Sequence, residues 1–304
     1  MAPSTLNLRV LLILLAPTLL PAQTRSIGFN TKVLEEIIGV KGTANTEERV
    51  FKFTFPRTDV PVTIDGWAMK PFMGLTSWAA FRKGVEKESM VMGDLVLFED
   101  EVNPVLSVAL ENGLSVTALH NHFFYDKPKV YFMHIGGDGA FQTFARAVRR
   151  TQETIKQIRS VHPQPVGGFA GPALPADSSL ASQEIEKILG YPSQTHSGMV
   201  KVVIGRRATM PCGCDAAKEM GVNSWAAFAG APENAFVDGD FSVLESELQD
   251  VLKTLRSGGI NIVAIHHHMT DEKPRYLFVH YWGKGAVAEL AKVLRRTLDQ
   301  TKHE

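Results

Sequence analysis

The sequence is short of three things, and each absence excludes a class of protein. It has two cysteines in 304 residues, both in Met210-Pro-Cys-Gly-Cys214. That excludes a small scaffold stapled by several disulfides. It has no net charge, with 32 basic residues against 32 acidic ones. A general nucleic-acid binder would show a basic excess or a basic stripe. It also lacks an apolar run near the roughly 20 residues that a membrane-spanning helix requires. The apolar stretch Val10 to Leu20 is much shorter; it follows Arg9 and runs into Pro-Ala-Gln. A basic start, a short apolar middle and a small-residue end read as a secretory signal peptide over residues 1–22. The expectation is a periplasmic or secreted protein with no stable membrane insertion after cleavage.

The two cysteines form a Cys-x-Cys pair. A bridge there would close a tight ring, and the matching place in the first half of the chain has no cysteine. The pair therefore reads as two small residues in a turn rather than as a redox or soft-metal site.

What is present is an ordinary globular composition, 44% hydrophobic and 21% charged, arranged twice. Leu114 to Ala140 reads LSVTALHNHFFYDKPKVYFMHIGGDGA, and Ile260 to Ala286 reads INIVAIHHHMTDEKPRYLFVHYWGKGA. One constant offset carries His120 to His266, His122 to His268, His134 to His280 and Pro128 to Pro274. Ser77-Trp-Ala-Ala-Phe81 recurs as Ser224-Trp-Ala-Ala-Phe228, and Gly93-Asp94 as Gly239-Asp240. Helical and alternating stretches recur in the same order around these motifs. The fold expected is α+β: an internally duplicated unit of mixed strands and helices, in two similar halves related by a pseudo-two-fold. Repeat 1 spans residues 27–159, a Pro/Gly-rich linker 160–180, and repeat 2 residues 181–304.

Strand parity carries the chemistry. Alternate residues of a strand share a face, so His120 and His122 point the same way. A hairpin turning tightly at Asp126-Lys127-Pro128 would set His120 opposite His134 and His122 opposite Phe132. Opposed side chains have Cβ atoms about 4.5–5.5 Å apart. Three imidazoles would converge, as a three-nitrogen site for Zn²⁺ or another divalent metal requires. His266, His268 and His280 repeat the set, and Glu101 or Asp126 is the candidate general base for metal-assisted hydrolysis. A His-x-His pair followed by an acid also fits a first cupin motif, but a long helix follows where a second motif would be needed.

Four further groups carry less chemistry. The acids Glu99, Glu101, Glu245 and Glu247 also suit the first turn of a helix. The glycine runs Gly136-Gly-Asp-Gly139 and Gly283-Lys-Gly285 precede helices, where an anion could bind. Trp78 and Trp225 read as core, and Arg149, Arg150, Arg295 and Arg296 as a solvated helix face.

Ser-Trp-Ala-Ala-Phe, Gly-Asp, Glu101-Val-Asn-Pro104, His120-Asn-His122, Asp126-Lys-Pro128 and Phe132-Met-His134 together resemble the LppY/LpqO family of exported bacterial proteins, a domain of unknown function. The resemblance spans the mature chain. It implies export, in some members as lipoproteins, although this chain has no lipobox cysteine. It implies no reaction. The functional expectations are thus an exported envelope-associated protein that binds a divalent metal, with metal-dependent hydrolysis as its chemistry if it is an enzyme, or a non-catalytic module for a cell-wall glycan, peptide or small molecule, or a metal-storage or sensing protein.

Overall fold

The computed structural model describes residues 26–168 and 172–302; residues 1–22, read as the signal peptide, lie outside them. In repeat 1 the chain forms helix α1 (Thr31–Ile38), strands β1 (Thr43–Asn45), β2 (Val50–Pro56), β3 (Thr76–Lys83) and β4 (Ser89–Phe98), helix α2 (Glu99–Glu111), strands β5 (Ser115–Asn121) and β6 (Val130–Gly139), and helix α3 (Phe141–Val161). Repeat 2 returns the same order: α4 (Ser182–Leu189), β7 (Ser193–His196), β8 (Met199–Gly205), β9 (Asn223–Ala231), β10 (Asn234–Leu244), α5 (Leu248–Ser257), β11 (Asn261–His266), β12 (Tyr276–Gly285) and α6 (Val287–Leu298). This is the mixed helix-and-strand composition expected, built twice.

All twelve strands join one antiparallel sheet in the order β1-β2-β3-β4-β6-β5-β11-β12-β10-β9-β8-β7. In terms of equivalent strands, the order reads the same from either edge. The two halves meet at β5 and β11, which pair antiparallel through Leu119 and Ile265, residues that are themselves equivalent.

Alternation decides which face is buried. Phe51, Phe53, Ala79, Phe81, Val91, Leu95, Leu97, Met133 and Ile135 point to one side, where α1, α2 and α3 add Leu34, Leu106, Ala145 and Val148. Repeat 2 contributes Phe228, Val237, Phe241, Val279 and Tyr281 beneath α4, α5 and α6 to the same continuous core. The intervening residues Trp78, Asp94 and His134, with Trp225, Asp240 and His280, therefore point to the other face. Only part of that face is covered. A short hairpin in each repeat packs a small second core over its strand ends, around Phe98 and Phe132 in one half and Tyr276 and Phe278 in the other.

The seam holds a reciprocal contact. β5 is bulged between Val116 and Ala118, and β11 between Ile262 and Ala264. A bulge leaves backbone groups outside the ladder. Asn103 of α2 both accepts from Ile262 N–H (2.8 Å) and donates to Ile262 C=O (3.2 Å). Gln249 of α5 does the same for Val116, at 3.0 and 2.9 Å. Each half's helix thus satisfies the other half's bulge.

Several sequence expectations change here. β4 runs unbroken through Gly93-Asp94, and β6 and β12 run on through Gly139 and Gly285. The glycine runs are strand, not anion-binding loops. A Cβ on Gly137 would meet the Phe144 ring of α3 at 2.6 Å, so close helix packing explains that glycine. Cys212 and Cys214 are disulfide-bonded rather than two free small residues in a turn. Trp78 and Trp225 are half-buried on the open face under Lys52 and Lys201, whose Nζ atoms lie 4.4 and 4.6 Å from the rings. Arg149 and Arg295 are not merely solvated: each donates to a last-turn carbonyl of the short helix beside it, Ile37 and Leu189.

Candidate metal centre

The histidines come together on the open face, but in a different register from the tight hairpin. His120 pairs with Phe132, and His134 pairs with Ala118. The turn is not at Asp126. Asp126 and Lys127 instead pair with Ile64 and Thr63 in a side sheet, so residues 122–129 form a wide loop. The register differs by two residues, and an even slip keeps every side chain on its face. The three rings therefore still gather: His120 lies 5.1 Å from His122 and 5.2 Å from His134, centroid to centroid. Phe132 forms the floor, stacked 3.3 Å from His122. In repeat 2, His266 and His268 are 5.2 Å apart, and Phe278 stacks 3.5 Å from His268.

The candidate bases are placed elsewhere. Glu101 is fully buried at the start of α2. Its carboxylate accepts from Arg57 Nη1 and Nη2 (2.7 and 3.0 Å) and from Phe98 N–H (2.9 Å), and it pairs with Arg159 Nε at 3.0 Å. No lone pair is left for proton transfer. Glu247 repeats the arrangement with Arg206, Leu244 N–H and Lys302 N–H. Asp126 accepts from Val130 N–H at 2.8 Å and pairs with Lys129 at 3.2 Å, which ties down the wide loop. Glu272 does likewise for Tyr276 N–H. Asn121 and His267 turn to local carbonyls, those of Phe123 and Tyr276.

The carboxylates that do meet the histidines are Asp94 and Asp240. Asp94 is the cross-strand partner of His134, and Asp240 that of His280. The preceding glycine explains how they get there. A side chain on Gly93 would meet the Trp78 carbonyl oxygen at 2.6 Å, and one on Gly239 would run into Trp225 O and the Tyr281 hydroxyl. Glycine lets the neighbouring strand close in, and the next residue then faces the histidines. The signal was in the sequence: an acid after a glycine, inside an apolar strand, in both repeats.

Repeat 2 gives the tighter cluster. Ligand atoms of Asp240, His266 and His268 all lie within 4.8 Å of one another, with Asp240 Oδ2 3.4 Å from His268 Nε2. Asp240 is 4% exposed, and its Oδ1 is buried without a hydrogen-bond partner. Burial, then the charge of Asp238, pushes its carboxyl pKa up to about 7. Burial also lowers the pKa of His266 and His268, and repulsion from His280 adds to this in both. Neutral imidazoles beside a carboxylate with an orphan oxygen are the donor set a divalent cation takes. His280 Nε2 lies 3.1 Å from Asp238 Oδ1. In repeat 1 the same places hold Asp94, His120, His122 and His134. Asp94 Oδ1 is likewise unpartnered, and burial and then His120 lower the pKa of His122. However, Met92 occupies the position of Asp238: it is two residues before Asp94, as Asp238 is before Asp240.

Among the described residues, no helix is long and apolar enough to cross a membrane. No curated protein and no solved structure matches the chain. One protein-family profile does, twice, over residues 32–154 and 183–300, which together are most of the chain and correspond to the two repeats. The chain therefore belongs to the family described as Domain of Unknown Function (DUF1259), and carries two copies of it.

Proposed function

We propose that the repeat 2 cluster binds a divalent cation of the zinc class through Asp240, His266 and His268, and that the protein is an exported metal-dependent hydrolase. The observation that carries this reading is the convergence within 4.8 Å of three ligand atoms, one of them from a buried carboxylate whose Oδ1 has no partner. Three protein ligands leave a coordination place open, the pattern of a catalytic rather than a structural site. A bound ion would supply the positive charge that polarises an ester, amide or phosphoester oxygen. The chain supplies the proton transfer. Asp238 Oδ1 lies 3.1 Å from His280 Nε2; with the proton held on Nε2 beside that carboxylate, Nδ1 serves as the proton acceptor. His280 replaces Glu101 and Asp126 in the role of base.

His120, His122 and Asp94 occupy the corresponding positions in repeat 1, but among the described residues only the repeat 2 set brings three ligand atoms within 4.8 Å of one another, and His134 lacks an Asp238 equivalent. We read repeat 1 as the weaker binder, without the proton-transfer pair. The palindromic strand order and the Leu119–Ile265 pair support a pseudo-two-fold between the halves. Residues 1–22 and the Cys212–Cys214 disulfide support export to an oxidising compartment, and the quoted motifs support placement in the LppY/LpqO group. A second reading, a cell-wall glycan or peptide module, draws on the half-buried Trp78 and Trp225 of the open face.

Metal analysis of tag-free protein tests the first reading. The wild type should carry metal, Asp240→Asn and His268→Ala should lose the repeat 2 equivalent, and His280→Ala should retain it while losing hydrolysis of model esters or phosphoesters. Metal-free wild-type protein that takes up no zinc on dialysis would sink the proposal.

A further inference from the structure

A second site lies at the seam, built from both repeats and sharing no residue with the metal cluster. It is a cavity of about 690 Å³, lined by Glu99, Asn103, Tyr131, Arg256, Asn261 and Trp282 among others. That volume falls within the range of small-molecule sites.

Two of its donors, on Arg256 and Asn261, have no acceptor. Arg256 donates Nε to Ser107 Oγ (3.0 Å) and Nη1 to the Ile260 carbonyl (2.7 Å), with Asn261 Oδ1 more distant at 3.5 Å. All of these partners are neutral. Nη2 has no hydrogen-bond partner among the described residues, and burial alone lowers the guanidinium pKa. A desolvated guanidinium without a carboxylate is costly. Beside it, Asn261 is 7% exposed, and its Nδ2 is buried with no acceptor. On the opposite wall Asp100 pairs with Arg159 and accepts from Val166 N–H through Oδ2, while its Oδ1 is buried with no partner; burial first, then the charge of Glu99, raises the Tyr131 pKa. His162 completes the charged or titratable lining.

The chemistry occurs once. At the equivalent positions the other repeat has Leu110 for Arg256, Ser115 for Asn261, Gly136 for Trp282 and Leu277 for Tyr131. The metal-site aspartate and histidines were kept in both halves, whereas this set was not, so the duplication alone does not account for it.

We propose that the seam cavity binds a small carboxylate with a planar apolar body. The carboxylate takes the open Nη2 edge of Arg256 beside Asn261 Nδ2, in the geometry that guanidinium groups offer carboxylates. The body lies between Tyr131 and Trp282.

Calorimetry on the full chain, dialysed against EDTA so that the histidine cluster holds no ion to attract the probe, tests this with phenylacetate and its neutral isostere phenylacetamide. Phenylacetate should bind with a millimolar-range Kd, and phenylacetamide should bind about tenfold or more weakly, since a charge-assisted bond is lost. Arg256→Gln should weaken phenylacetate by a similar factor and leave phenylacetamide unchanged. If that variant fails to fold, the acid and amide on wild-type protein still decide the matter, with Asn261→Ser as the second variant, expected to weaken the acid selectively. Equal affinity for acid and amide overturns the proposal, as does no binding of phenylacetate at about 10 mM.

Discussion

Asp240→Asn should make the metal-free protein more stable and the metal-loaded protein less so. The Asp240 carboxyl has its pKa raised from 3.8 to about 7, with burial as the first cause. A folded-state pKa above the unfolded value means that the folded state holds the proton more tightly. The associated stability is fully present below pH about 4 and is lost as pH rises towards 7. About three units at 1.36 kcal/mol each set the cost of the ionised carboxylate at pH 8 at roughly 4 kcal/mol. Asparagine keeps the shape and removes the charge. Urea denaturation in EDTA should therefore show the variant about 2–4 kcal/mol more stable than wild type at pH 8, and nearly equal to it at pH 4. Zinc at about 100 times its Kd should then add roughly 2.7 kcal/mol to the wild type and much less to the variant. A variant that is less stable than wild type at pH 8 in EDTA would refute the strained-carboxylate reasoning. Equal zinc stabilisation of both proteins would refute the ligand assignment.

Other outcomes follow from the same geometry. Glu101→Ala leaves Arg57 with the Asp59 carboxylate alone and Arg159 with that of Asp100 alone; losing their shared buried carboxylate should cost about 3–5 kcal/mol in chemical denaturation, with metal content unchanged in whatever fraction folds. Asp238→Asn should leave metal binding intact and lower turnover by about 10²–10⁴ if His280 needs its partner as a general base does, read as kcat on a model ester. Because burial lowers the pKa of His266 and His268, protons compete weakly for them near neutrality. Zinc affinity, measured by competition with a chromophoric chelator, should therefore change less than about twofold from pH 8 to 7 and then fall roughly tenfold per pH unit below about 7, as the Asp240 carboxyl takes up its proton. Gln249→Ala should cost about 1–3 kcal/mol by leaving the Val116 bulge groups unpaired, and hydrogen exchange should accelerate at Val116.

Much of this was readable from the residues. The duplication and the facing of the three histidines follow from spacing and parity, because parity survives a register shift of two. The register itself was not readable. It depends on a bulge after Val116 and on Asp126-Lys127 leaving the hairpin to pair with Ile64 and Thr63, a contact between segments far apart in the chain. Glu101 looked like a base because a helix-start acid is chemically capable of the role. Its occupation by two arginines, one of them from the end of α3, is a tertiary fact. Asp240 was missed for a different reason: the Gly-Asp pair showed only as a repeated motif, whereas the glycine makes room for Trp225 O and the aspartate faces the histidines.

The crossed amides at the seam bear on how the two halves depend on each other. Asn103 completes a backbone irregularity in the other half, and Gln249 returns the service. A half expressed alone would expose both the bulge and the edge of β5 or β11, and its remaining amide would have nothing to hold. The partner that fits both is another copy of the same half. Each half therefore carries the amide that completes the other's bulge, so the two halves are matched to each other along the seam and stand or fall together.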